Sequence, residues 1–222
     1  MTVLLVLATF LLFVALDFLI NREKAPAQIP TVAKRPLSAA LEPDYVDGFL
    51  TPKGLDYHPG HAWIRRERPH YMRVGADEFA AALAGSLDHV DLPRTGQWVR
   101  QGQRTLTLHR GNEKTEMVSP IEGEVVEVNT EVAKDPTLVR SDPYGRGWLF
   151  AVHVPDEEST SRNLVPSALV RSWMRNAVGR LYALQPAVAG AVLADGGRPV
   201  NDLLSGIPNV SWSRITREFF LT

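Results

Sequence analysis

The sequence predicts a mainly β domain, a compact sandwich or flattened barrel with flanking helices, set between an apolar N-terminal span and a helical C-terminal extension. Three observations predict it. Between residues 57 and 155, short β-type runs recur every eight to twelve residues with turn residues between them. Residues 2–20 are apolar apart from Asp17. Helical spacing of apolar residues is sustained only beyond residue 165.

The N-terminal run, drawn as a helix, spans about 28 Å, close to the hydrocarbon thickness of a bilayer. A cleavable secretory signal is the competing reading. No lysine or arginine precedes the run, and Ala25 and Ala27 lie beyond the polar Asn21-Arg22-Glu23-Lys24, a poor setting for a cleavage site. The favoured expectation is an uncleaved single-pass anchor over residues 1–24. Arg22, Lys24, Lys34 and Arg35 all follow the span, so the bulk of the chain is expected on the cytoplasmic side. Asp17, near that end, reads as a snorkelling residue rather than an intramembrane acid with a function. Residues 25–56 carry Pro26, Pro30, Pro36, Pro43 and Pro52 without sustained periodicity and read as an extended tether, with room for a short helix at 38–41.

The folded core is expected over 57–160. Ala62-Trp63-Ile64 and Met72-Arg73-Val74 read as strands around a polar loop. Residues 77–84 read as a helix with Phe79, Ala80 and Leu83 inward, closed by Gly85. Strand alternation follows over 87–92, at Gln97-Trp98-Val99, over 105–108, on the return over 116–118, and most clearly over 123–129. In the extension, 161–222, Pro166 opens an amphipathic helix with Leu169, Val170, Trp173, Met174, Ala177, Val178, Leu181 and Leu184 on one face and Arg171, Arg175 and Arg180 elsewhere. Pro186 ends it, Asp195-Gly196-Gly197 makes a turn, and Trp212, Ile215, Thr216 and Phe219 outline a last short helix. Docking of both helices on their own domain is expected; a partner or membrane-surface contact is the alternative, motivated by the arginines.

Composition narrows the function. The net charge of -1 leaves no basic excess for tracking nucleic acid. With no cysteine, disulfides, thiolate metal sites and thiol nucleophiles are excluded together. The six histidines are scattered, and none gathers the convergent ligands a zinc site needs. Glu113 and Glu116 sit on a small hairpin without an apolar pocket to raise a carboxyl pKa, so they read as a solvated face. No phosphate loop, nucleophile elbow or catalytic constellation is present, and the chain is expected not to be an enzyme.

Certain motifs are more specific. Tyr57-His58-Pro59-Gly60-His61-Ala62-Trp63-Ile64, Val74-Gly75, Glu78-Phe79-Ala80, Leu83-Ala84-Gly85, Asp91-Leu92-Pro93, Ser119-Pro120, Gly123-Glu124-Val125-Val126-Glu127-Val128-Asn129 and Ser141-Asp142-Pro143-Tyr144-Gly145-Arg146-Gly147-Trp148-Leu149 resemble, in order, the glycine cleavage system H protein. The resemblance covers about residues 57–156. It implies a lipoyl-type hybrid barrel-sandwich, places His61 in a structural His-x-Trp strand, and implies a hairpin whose tip presents a lysine for lipoate. Counting back seven residues from Ser119-Pro120, or forward ten from Gly102, reaches Asn112 instead. His109 stands where the family has a glutamate, and Arg110 and Gly111 replace its Ser-Val pair.

Lysine is needed there because its amine forms the amide and its methylenes give the arm reach. Gly111-Asn112 has neither property and reads as a tight turn. Lys114 is two positions further, expected down the returning strand and off the apex. The leading expectation is therefore a non-catalytic, membrane-anchored scaffold with no cofactor, a vacant lipoyl position at Asn112 and protein partners of unknown identity. The alternative is a carrier with lipoate on Lys114, serving a glycine decarboxylase, an aminomethyltransferase and a dihydrolipoamide dehydrogenase.

Overall fold

A computed structural model describes residues 41–184, 203–204 and 211–222. The apolar run at 2–20, the possible helix at 38–41 except Leu41, and the turn at 195–197 lie outside the described residues. Among the described residues, no helix is long and apolar enough to cross a membrane.

The described chain runs β1 (Tyr45–Val46), β2 (Phe49–Leu50), β3 (Asp56–His58), β4 (Ala62–Arg68), β5 (Tyr71–Ala76), α1 (Glu78–Ala84), β6 (His89–Asp91), β7 (Trp98–Val99), β8 (Arg104–Arg110), β9 (Glu113–Val118), β10 (Gly123–Val128), α2 (Thr130–Lys134), α3 (Leu138–Ser141), β11 (Trp148–His153), α4 (Glu157–Ser161), a 3-10 turn (Ser167–Leu169), α5 (Val170–Leu184) and α6 (Trp212–Phe220). The strands form a six-stranded sheet in the order β3-β4-β5-β11-β10-β7, a three-stranded sheet β6-β8-β9 and the small hairpin β1-β2. Every pairing is antiparallel. The chain passes twice from the six-stranded sheet to the three-stranded one and back, and Val74, Phe150, Val125, Leu106, Leu108 and Met117 share one buried cluster. The fold is mainly β with flanking helices, as the strand spacing predicts.

Local chemistry fixes the elements. Asp77 caps α1 by accepting the Ala80 N–H at 2.7 Å, and Gly85, at φ 67°, closes the helix by donating to the Ala81 carbonyl. The helix begins one residue later than its expected span because that residue is the cap. Trp63 of β4 lies over Gly75 of β5, its register partner; a Cβ at Gly75 would stand 2.4 Å from the indole ring. The Trp63 indole N–H donates to the Pro143 carbonyl at 3.1 Å, tying the Asp-Pro-Tyr-Gly turn to the sheet.

Two features differ from the sequence reading. The tether expected over 25–56 ends in folded chain: Val46 and Phe49 are fully buried, and Phe49 packs edge-on to Phe79 at 5.2 Å. Asp47 and Gly48, at φ 47° and 86°, form the two-residue turn between β1 and β2. Leu169 and Leu184, assigned to the inward face of the first C-terminal helix, are exposed. Leu169 belongs to the 3-10 turn that precedes α5 and is therefore out of phase with it. Met174, Ala177, Val178 and Leu181 do face the core, and both C-terminal helices dock on their own domain.

Candidate functional site

The tip of the β8–β9 hairpin is set by register. Arg110 pairs with Glu113, leaving Gly111 and Asn112 as a two-residue loop. Gly111 takes φ 55° at the first loop position, the conformation that a type II′ turn asks of glycine. Its N–H donates to the Asp88 carboxylate, and the Asp88 N–H donates to the His109 carbonyl at 2.9 Å, so the apex is tied to the chain entering β6. Asn112 is exposed at the apex. Lys114, also exposed, lies within the ladder opposite His109.

A second pair of contacts stands below the apex. Asp91 of β6 bridges two imidazoles: His109 Nε2 at 2.7 Å and His89 Nε2 at 3.0 Å. The bond from His109 holds the Asp91 carboxyl below its ordinary pKa. The group is open to solvent, so it is a surface latch between β6 and β8 rather than a buried charge. Glu116 pairs with Arg104 at 3.1 Å on the same hairpin. Neither glutamate of the hairpin stands in a pocket of the kind that acid–base chemistry needs.

The flank of the hairpin is covered by α6. Trp212, Ile215, Thr216, Phe219 and Phe220 are buried, and the Trp212 indole N–H donates to the Leu83 carbonyl of α1 at 2.9 Å. The Ser213 N–H and Oγ–H reach Glu113 Oε1 at 3.4 and 3.3 Å, and the Arg110 guanidinium lies 5.9 Å from the Trp212 ring centre. The last helix thus sits beside the tip. Spacing marks it as a helix but carries no signal for this seat.

Behind α5 and α6 lies a buried polar couple. His61 Nδ1 and Asp77 Oδ2 are 2.8 Å apart, both side chains sealed from solvent, and the imidazole stacks between Phe79 at 4.4 Å and Trp173 at 4.7 Å. The structural place expected for His61 agrees with this packing. Its acidic partner, sixteen residues away, was not visible in the spacing. Its Nε2 has no hydrogen-bonding partner, nor has Thr115 Oγ1 on β9. His58 accepts the Gly60 N–H at Nδ1 (3.0 Å), and burial pushes its pKa down to about 4. His70 and His153 form a separate exposed pair with ring centres 5.9 Å apart. Among the described residues, no three histidine or carboxylate side chains converge in a metal-binding arrangement.

The strand order, the tip and the His61–Trp63 segment now meet an independent observation: the family model described as "Glycine cleavage H-protein" matches residues 55–176. The chain belongs to the glycine cleavage H-protein family. The glycine cleavage system H protein of Mycobacterium leprae (strain Br4923) is 39% identical over 105 residues, covering 47% of this chain and 80% of the relative. That of Bifidobacterium longum is 39% identical over 107 residues, 48% of this chain and 77% of the relative. That of Cronobacter sakazakii is 35% identical over 117 residues, 53% and 91% respectively. A solved H protein from Mycobacterium marinum is 28% identical, with a TM-score of 0.47 over 53% of this chain and 94% of its own. The match to the H-protein family takes in the hairpin, the buried couple and the first turns of α5. Residues 1–54 and α6 lie outside it.

Proposed function

We propose that this protein is a non-catalytic, membrane-anchored member of the H-protein family that keeps the carrier scaffold without the carrier chemistry, and works as a binding or assembly module. The observation that carries the reading is the composition of the apex. Lipoylation joins the acid's carboxyl group to a primary amine, and the two loop residues, Gly111 and Asn112, offer none. The Asn112 carboxamide nitrogen is delocalised into its carbonyl and is no nucleophile, and its single methylene gives no reach. The apex does not fit the group. Lys114 is an amine, but it stands in the β ladder, in the second pair below the loop, where a modifying enzyme that reads the tip passes it by.

The anchor rests on the apolar run at 2–20 followed by Arg22, Lys24, Lys34 and Arg35, which favours a cytoplasmic placement of the domain. A tethered module meets only what lies near its membrane, which suits assembly better than shuttling. Two measurements on protein from its native host test the proposal. Intact and peptide mass analysis is expected to find Asn112 and Lys114 unmodified; lipoate on Lys114 would replace the scaffold by a carrier serving glycine cleavage enzymes. Alkaline extraction of membranes is expected to leave the chain in the pellet, and release into the supernatant would remove the anchor.

A further inference from the structure

The outward side of α5 combines positive charge with exposed apolar groups. The helix carries Arg171, Arg175 and Arg180 and no carboxylate. With Met174, Ala177, Val178 and Leu181 buried, steps of about 100° per residue put Arg175 and Arg180 on the two shoulders of the exposed side. Arg171 is engaged by Asp44. Arg175 makes no hydrogen bond or ion pair among the described residues, and the exposed Arg180 guanidinium rests 5.1 Å from the Phe219 ring centre.

Two of the large hydrophobic side chains exposed among the described residues, Leu169 at 53% and Leu184 at 41%, bracket this helix. Beside it Leu164, Val165, Pro166 and Trp173 line a shallow groove that Leu169 and Arg180 share. Exposed leucines scattered singly call for no explanation; here they frame one basic face. The described domain begins at Leu41, and residues 21–40 separate it from the apolar run at 2–20. A flexible chain of that length has a root-mean-square span of about 25 Å. On the anchored reading, the domain therefore stays close to a lipid surface. Arg22, Lys24, Lys34 and Arg35 assign it to the cytoplasmic leaflet, which is anionic, and each basic side chain brought to such a surface gains about fivefold in affinity.

We propose that the outward face of α5 is a docking surface for a bilayer of anionic phospholipid: Arg175 and Arg180 meet the headgroup phosphates, while Leu169 and Leu184 enter the interface. The proposal rests on the anchored reading and adds what an anchor alone does not supply, a fixed orientation of the domain on the membrane. A neutral bilayer offers no counter-charge to the two guanidinium groups, so the domain swings on its tether there.

The chain has no cysteine, so Asn176→Cys or, separately, Ala183→Cys places one nitrobenzoxadiazole probe on the exposed side of α5. The full-length protein is incorporated into nanodiscs of phosphatidylcholine alone or with added phosphatidylglycerol, each with and without a doxyl quencher near the headgroups. Quenching is expected to be about threefold or more stronger in the anionic discs at both positions, and Arg175→Glu is expected to bring it down to the neutral level. Weak quenching in both kinds of disc overturns the contact. Quenching that is strong in both, or that Arg175→Glu leaves unchanged, overturns recognition by charge and the proposal with it. A chain that does not enter the discs removes the anchor and this contact together, whereas a chain that enters them with its probe in solvent removes the contact alone. Lipoate on Lys114 would sink the scaffold reading while leaving this result standing, so the failures are told apart.

Discussion

His58 should make the domain acid-sensitive in a window that carboxylates do not reach. The imidazole is buried and accepts the Gly60 N–H through Nδ1, and desolvation, with a smaller contribution from His61, lowers its pKa from 6.5 to about 4. The folded state therefore holds the neutral ring in a range where the unfolded chain binds a proton. Stability is complete above pH 6.5, falls as the pH drops through 6.5, and the loss levels off only below the folded value near 4. A gap of about 2.5 units corresponds to about 3 kcal/mol in full, of which about 2 kcal/mol is gone by pH 5. The assay is urea unfolding of the full chain in detergent between pH 7.5 and 5, for the wild type and for His58→Asn. The variant keeps an acceptor for Gly60 but no titrating ring, so the difference between the two curves isolates this group. A difference that changes by less than about 0.5 kcal/mol across that range would refute the buried neutral imidazole.

Three further outcomes are expected. Phe79→Ala removes a fully buried ring that touches Phe49, Phe219 and His61, and should cost about 3–5 kcal/mol in the same unfolding assay; a loss under 1 kcal/mol would show that the core closes over the gap. Gly75→Ala places a methyl 2.4 Å from the Trp63 ring and should lower the melting temperature by about 5–10 °C, with a change in tryptophan emission; an unshifted melt would mean that the indole moves aside freely. Asn112→Lys restores an amine at the apex and, co-expressed with a lipoate ligase, should gain lipoate on that residue while the wild type gains none. Lipoate on wild-type Lys114 in that experiment would contradict the scaffold reading.

Much of the architecture could be read from residue pattern because it is local. The alternation in 123–129, the Gly85 cap and the Gly111-Asn112 turn each express a preference within a few residues, and the structure follows them. The hairpin at Tyr45–Leu50 was also announced locally, by Asp47-Gly48 between apolar residues, but its strands are two residues long and are flanked by prolines, so the tether pattern prevailed. Leu169 was misplaced because a 3-10 turn breaks the helical phase at Ser167–Leu169. Contacts set by the three-dimensional fold were out of reach. Nothing in spacing joins His61 to Asp77, Asp91 to His109, or Ser213 to a glutamate one hundred residues before it. The tip could be located from sequence; the helix lying beside it could not.

The indole of Trp63 resting on bare backbone at Gly75 also governs how the sheet is assembled. Moving β4 by one residue along β5 would bring Val74 or Ala76 under the ring, and either side chain collides with it, while the same slip turns Ile64 to the opposite face, away from its partner Val74. A single contact thus rejects both neighbouring alignments, so the sheet has one way to zip.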